Sequence, residues 1–300
     1  MKILVSGSTG LVGARLVAEF DGDGREVVRL VRRSPSGANE VEWNPPAGVL
    51  KAEEIEGCDA VIHLAGENVG SSRWTARKKT AIRESRVNGT KLLADTLAGL
   101  NSPPKVFVSA SAIGFYGDRG DERLSEESAP GEGFLADVCR AWEATTQPAQ
   151  ERGIRVVHAR LGVVLSPDGG ALQKMLTPFR MGVGGVLGDG SQYMSWISLD
   201  DVIAALRFLV DTEALSGPVN CVAPVAVSNR EFTKALGKVL GRPTIFPMPK
   251  LAARLAFGEM ADALLLASVR VEPTRLLQNN YRFLHTELGA AFRHLLGSNA

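Results

Sequence analysis

Short, nearly continuous apolar runs recur through the first two thirds of the chain: KILVSG (2–7), EVVRLVR (26–32), DAVIHLAG (59–66), KVFVSAS (105–111) and RVVHARLGVVL (155–165). Runs of this length without polar alternation fit strands buried on both faces. Between most of them lie stretches with helical spacing, at 11–20, 73–99 and 134–152. Buried strands alternating with helices predict a parallel sheet covered on both sides, a doubly wound α/β fold.

The pattern changes after residue 165. Residues 166–192 combine a short helical stretch with a Gly-rich loop, and SWISLDDVIAALRFLV (195–210) reads as a strand and helix that Asp200 or Asp201 could cap. From about residue 225 the chain is mostly helical, interrupted by GRPTIFPMPK. The expected organisation is a sheet domain over 1–165, rejoined by 193–222. A smaller, mostly helical substrate-side lobe is expected from 166–192 and 223–300.

Composition narrows the function classes. The formal net charge is +1, so no overall field favours nucleic acid or an anionic membrane. The basic run RWTARKKTAIRESR (73–86) has the spacing of one exposed helix face and lacks the aromatic platform of a nucleic-acid binder. No apolar stretch approaches a membrane span, and the start has no signal-peptide pattern, so a cytoplasmic protein is expected. The three cysteines and four histidines show neither CxxC nor HExxH spacing, so no metal is expected. No G-x-S-x-G elbow or GK[ST] phosphate loop is present.

GSTGLVG places Gly7, Gly10 and Gly13 directly after the first strand and at the opening of a helix. Glycines there allow a tight turn and close backbone approach to a pyrophosphate, which the helix N-terminus then holds. This predicts a dinucleotide site. An NAD site usually offers a carboxylate at the end of the second strand; this chain has Arg32 and Arg33. Their guanidiniums suit a ribose 2′-phosphate, so NADP(H) is favoured over NAD(H), with Arg32 the better candidate. The alternative is that both arginines are merely solvated.

Together with HLAG (63–66), VSASAIGFYG (108–117) and SWISLDDV (195–202), the glycine turn resembles the extended short-chain dehydrogenase/reductase superfamily, which includes nucleotide-sugar epimerases and dehydratases. The segments LAGENV (64–69) and RWTARKKTAIRESRVNGTKLL (73–93), with the C-terminal PMPKLAARLAFGEMADALLLASVRVEPTRLLQNNYRFLHTELGAAF (247–292), resemble its atypical epimerase-family branch, named for nucleoside-diphosphate-sugar epimerases. The resemblance spans essentially the whole chain and implies a Rossmann fold. It also implies backbone contacts to the pyrophosphate from Thr9, Leu11 and Val12. His63, Leu64, Ala65 and Gly66 would line the adenosine side, with Arg86 close by. Ser109 and Ala110 would pass the nicotinamide ribose, and Arg160, Leu161 and Gly162 would lie beneath the nicotinamide.

Active members of the superfamily use a serine, then a tyrosine and a lysine four residues apart on a helix. Ser111 matches the serine. Aligned on Glu143, the tyrosine position is Leu135 and the lysine position is Cys139, neither of which can replace its counterpart. No Tyr or Lys lies between 133 and 152. Tyr116 is the remaining candidate acid, and Asp137 is a weaker one that fits the helix dipole as well.

Trp74, Phe115, Tyr116, Phe134, Met175, Phe179, Tyr193 and Trp196 are expected to converge above the sheet as an apolar substrate pocket, with Lys174 and Arg180 meeting an anionic group. Two readings follow. One is an NADP-dependent oxidoreductase or epimerase-like enzyme using Ser111 and Tyr116 on an unidentified small molecule. The other is an inactive NADP(H)-binding sensor or partner-binding protein. Related folds pair through long helices, which makes a homodimer the fold-level expectation.

Overall fold

The computed structural model of the chain describes residues 1–297; the last three residues of the segment assigned to the substrate-side lobe lie outside it. In chain order the strands used below are β1 (Lys2–Ser6), β2 (Glu26–Val31), β3 (Glu40–Glu42), β4 (Ala60–His63), β5 (Val106–Ala112), β6 (Arg123–Leu124), β7 (Arg155–Leu161), β8 (Val163–Ser166), β9 (Tyr193–Met194), β10 (Trp196–Ser198) and β11 (Gly217–Cys221). The helices used below are α1 (Leu11–Gly22), α2 (Ala52–Ile55), α3 (Ala76–Ala98), α4 (Phe134–Ala144), α5 (Gln147–Glu151), α6 (Gly170–Arg180), α7 (Leu199–Asp211), α8 (Asn229–Leu240) and α9 (Lys250–Phe257).

Alternate strand residues feed two separate cores. Ile3, Val5, Val108 and Val157 pack with α1 and α7 on one face, whereas Leu4, Phe107 and Val156 pack with α3 and α5 on the other. Each fully buried aliphatic side chain contributes about 1.5–3 kcal/mol, so both faces must be covered, and the buried runs are apolar throughout. The seven strands run in the order β11-β7-β5-β4-β1-β2-β3, and every pairing is parallel. Strand order reverses between β1 and β4. Their carboxyl ends therefore open a crevice, the usual ligand position in such sheets.

Two expected elements are corrected. The run 155–165 is two strands, because Gly162 leaves no room for a side chain against the Ser195 carbonyl and Val222. There the chain leaves the large sheet, and β8 pairs with β10 instead. The helix 134–152 breaks after Ala144, where Thr145 and Thr146 turn their hydroxyls onto the Trp142 and Glu143 carbonyls and Pro148 lacks an N–H. The short edge strand β3 has only three residues, too few to register as a pattern.

The cap of α7 is Ser198, not Asp200 or Asp201. Asp201 is buried and performs a different task. Its carboxylate accepts from the backbone N–H groups of Leu284 (2.7 Å) and His285 (3.0 Å) and from Ser198 Oγ (2.8 Å), fastening the C-terminal segment to α7. The smaller lobe has its own core of Leu172, Leu176, Phe179, Trp196, Phe232 and Phe292. Among the described residues, no helix is long and apolar enough to cross a membrane.

Asp201→Ala strands two backbone donors and is expected to cost roughly 3 kcal/mol. Urea unfolding would show this as a lowered midpoint; a loss under about 1 kcal/mol would mean the latch is dispensable.

Candidate functional site

The glycine turn is built by close contact. Gly7 has φ +69°, and a Cβ there would lie 2.8 Å from the Ala65 nitrogen. A Cβ on Gly13 would overlap the Gly7 carbonyl, and that carbonyl accepts Gly10 N–H at 3.0 Å. Gly10 caps α1 without a side chain, which leaves the first-turn N–H groups of Leu11 and Val12 for a ligand. Thr9 is exposed beside them. The Leu11 side chain packs onto Gly169, closing the turn from the lobe side.

Beneath the turn, Ser6 Oγ accepts from the backbone N–H groups of Leu64 (3.1 Å) and Ala65 (3.3 Å) and meets His63 Nδ1 at 2.6 Å. With two donors already on its oxygen, Ser6 gives its own proton to Nδ1. His63 is fully buried, which pushes its pKa down to about 3 and keeps the ring neutral. It therefore braces the β4 exit from below, a supporting position that lies behind the ligand edge. Arg86 serves the same loop from α3. Its guanidinium lies against Gly66, donates to the carbonyls of Glu67 (3.0 Å) and Ile82 (3.1 Å), and sits 5.1 Å from the Trp142 ring centroid.

The two arginines after β2 differ. Arg33 forms a fork with Glu40, at 2.8 Å from Nη1 and 2.7 Å from Nη2. Arg32 is exposed and, among the described residues, makes no side-chain hydrogen bond or ion pair. A free guanidinium thus stands at the β2 end next to the glycine turn.

The opposite side of the crevice carries α4. Leu135, Cys139 and Glu143 fall at i, i+4 and i+8, so they share its inner face. Leu135 packs on Gly114, where a Cβ would lie only 3.2 Å from the Leu135 Cβ. Cys139 is buried with Sγ 3.7 Å from the Ala112 carbonyl, and burial with nearby Glu143 pushes its thiol up to about 11. It is inert at neutral pH. Asp137 is exposed and paired with Arg140.

Both candidate hydroxyls belong to one network. Ser111 Oγ donates to Glu143 Oε1 at 2.6 Å. Arg160 binds the same carboxylate in a fork, Nε to Oε1 and Nη2 to Oε2, both 2.9 Å, with its guanidinium carbon 3.5 Å from the Phe115 ring centroid. Arg160 Nη1 donates to the Tyr116 hydroxyl (2.9 Å), which donates onward to Asn220 Oδ1 (2.7 Å). Tyr116 is fully buried, and that burial raises its pKa. The expectation of a pocket-lining Tyr116 is corrected by this geometry, since its proton and lone pair are both committed. Glu143 and Asn220 escaped the sequence reading as functional residues; the i+4 step from Cys139 is the one local signal for Glu143.

The expected substrate pocket does not assemble as a unit. Trp74 and Phe134 do meet, ring centroids 5.1 Å apart. Lys174 reaches the Gly70 carbonyl. Trp196 and Phe179 instead lie inside the lobe core, with Met175 half-buried against it. Tyr193 lines a polar cavity of about 230 Å³ with Ser191, Gln192, Asp121 and Ser268, and Arg270 stacks on its ring at 4.4 Å. Ser109 and Ala110 are buried in β5, and Leu161 is half-buried at the end of β7. Among the described residues no group of three or more His, Cys, Asp or Glu could hold a metal.

A model of the NAD dependent epimerase/dehydratase family matches residues 3–221, and a model of a domain of unknown function, DUF1731, matches residues 248–295. The chain is 42% identical over 289 residues to an epimerase family protein of Mycobacterium tuberculosis, MT2273, covering 96% of this chain and 95% of that one. Human epimerase family protein SDR39U1 (isoform 2), solved with NADPH, superposes with a TM-score of 0.91 at 32% identity over 100% of both chains. A nucleoside-diphosphate sugar epimerase of Corynebacterium glutamicum gives a TM-score of 0.83 at 40% identity, where 99% of this chain matches 58% of that longer one.

Glu143→Ala leaves the Arg160 guanidinium buried and unpaired, with an expected loss of about 3–5 kcal/mol in chemical unfolding. Retention of wild-type stability would show that the fork is not needed for folding. All three cysteines are buried and pushed up to about 11 or 12. At pH 8 none should react rapidly with a disulfide reagent until the protein unfolds, and a fast native thiol would contradict this.

Proposed function

Because this chain belongs to the NAD dependent epimerase/dehydratase family, we propose that it binds NADP(H) along the carboxyl edge of its sheet and acts on a small molecule as an oxidoreductase or epimerase-like protein. The observation that carries the cofactor choice is Arg32, exposed and, among the described residues, unpaired at the β2 end beside the glycine turn. The relative solved with NADPH supports it. Gly7 and Gly13 hold the turn tight against the β4 exit and the start of α1, and Gly10 between them would present no side chain to a pyrophosphate. Leu11 and Val12 would offer N–H groups to the phosphates, and Arg32 would pair a 2′-phosphate. Bound there, the cofactor supplies or accepts a hydride.

The chain's own residues limit what accompanies that hydride. Leu135 has no exchangeable proton, and the Cys139 thiol stays protonated. Ser111 holds its proton toward the Glu143 carboxylate, so toward a ligand it offers lone pairs. Such a site orients a hydrogen-bond donor better than it protonates a carbonyl oxygen. The same commitment of Ser111 and Tyr116 favours a second reading, an NADP(H)-binding protein without turnover that reports redox state or recruits a partner.

Cofactor fluorescence titrations test the binding: Arg32→Ala is expected to weaken NADPH about tenfold or more and leave NADH nearly unchanged, the mark of a lost charge-assisted phosphate contact. Equal losses for both cofactors would refute the 2′-phosphate assignment. NADPH oxidation by the wild-type protein against carbonyl compounds and nucleotide sugars separates the readings. Oxidation that falls on Ser111→Ala supports the enzyme; tight binding with no oxidation by any of them supports the non-catalytic reading.

A further inference from the structure

Arg32 and Arg33 are adjacent in sequence, yet the fold treats them differently. Glu40 opens β3 level with Arg29 of β2, because the register pairs Arg29 with Glu40 and Val31 with Glu42. Its carboxylate lies below the carboxyl edge and draws Arg33 back along the margin of the sheet. Four hydrogen bonds converge on it. Arg33 Nη2 donates to Oε1 at 2.7 Å; Arg33 Nη1, Ser36 N–H and Ser36 Oγ donate to Oε2 at 2.8, 2.8 and 2.9 Å. Arg33 Nη1 also reaches the Ser34 carbonyl at 2.9 Å, so the guanidinium closes the loop between β2 and β3. The Glu40 side chain is only 10% exposed, and the Arg33 hydrogen bonds, followed by those from Ser36, lower its pKa to about 2. It is a carboxylate throughout the physiological range.

We propose that Glu40 is a specificity-setting residue: by holding the Arg33 fork it withholds a second guanidinium from the 2′-phosphate site and leaves recognition to Arg32 alone. The inference rests on the NADP(H) reading above and deepens it. A phosphate dianion near this loop meets one neutralised pair and one cation that is unpaired among the described residues. The preference for NADPH over NADH is thereby held below what two arginines at one strand end would otherwise produce. Glu40 acts through Arg33 and is a positioning residue, so it changes affinity for the phosphorylated cofactor and not affinity for the ribose or the pyrophosphate.

Glu40→Gln removes the charge that holds the guanidinium while its amide oxygen still accepts from Ser36 N–H, which preserves the loop. In fluorescence titrations this variant is expected to bind NADPH about fivefold more tightly than wild type, with NADH unchanged, as a second charge-assisted contact forms. Arg33→Ala alone is expected to leave NADPH affinity within about twofold, because that side chain is already engaged. Arg33→Ala combined with Glu40→Gln should lose the gain and return close to the wild-type value. Unchanged or weaker NADPH binding in Glu40→Gln overturns the proposal. So does an Arg33→Ala loss as large as that of Arg32→Ala, which would show Arg33 leaving Glu40 for the phosphate. If Arg32→Ala weakens NADPH and NADH equally, the cofactor reading fails first, and this inference fails with it.

Discussion

The Glu143–Arg160 fork sits where the sheet, α4 and the turn after β5 meet, and much of the site depends on it. Both partners are almost withdrawn from water, and such a pair survives only when every lone pair and donor is satisfied. Arg160 meets that demand by stacking on Phe115 and reaching Tyr116, while Glu143 meets it by accepting the Ser111 hydrogen bond. The hydroxyls that a reaction could have used are therefore parts of a structural network. Their geometry follows from keeping two charges buried, which is a constraint on stability before it is one on chemistry.

The other side of the crevice is governed by closeness and not by charge. Gly7 and Gly13 bring three backbone segments together at distances that no side chain permits, and Ser6 with a neutral His63 holds the β4 exit in register below them. The result is a rigid anion cradle on one wall and a closed apolar and ionic surface on the other.

The smaller lobe reaches the site from several directions. Leu11 packs against Gly169, Lys174 reaches Gly70, and Lys79 of α3 pairs with Glu259 just beyond α9 at 2.7 Å. The Asp201 latch secures the C-terminal segment behind this lobe. These contacts tie the β4 loop and the start of α3 to the lobe.

Much of this was legible in the chain. Apolar runs located the sheet strands, because a strand covered on both faces must be apolar at every step. The spacing of Gly7, Gly10 and Gly13, the arginines after β2 and the Leu135–Cys139–Glu143 spacing of α4 are all local features, readable without contacts. The break at Gly162 was not readable, since it depends on the Ser195 carbonyl, more than thirty residues away, lying against the α-carbon. Partner choice among polar groups was equally hidden. Ser111 meets Glu143 across 32 residues, Tyr116 meets Asn220 across 104, and Glu40 takes one of two adjacent arginines. Hydrophobic periodicity determines which face of an element is buried. Which polar side chains satisfy one another in that burial is decided only when the topology has brought their elements together.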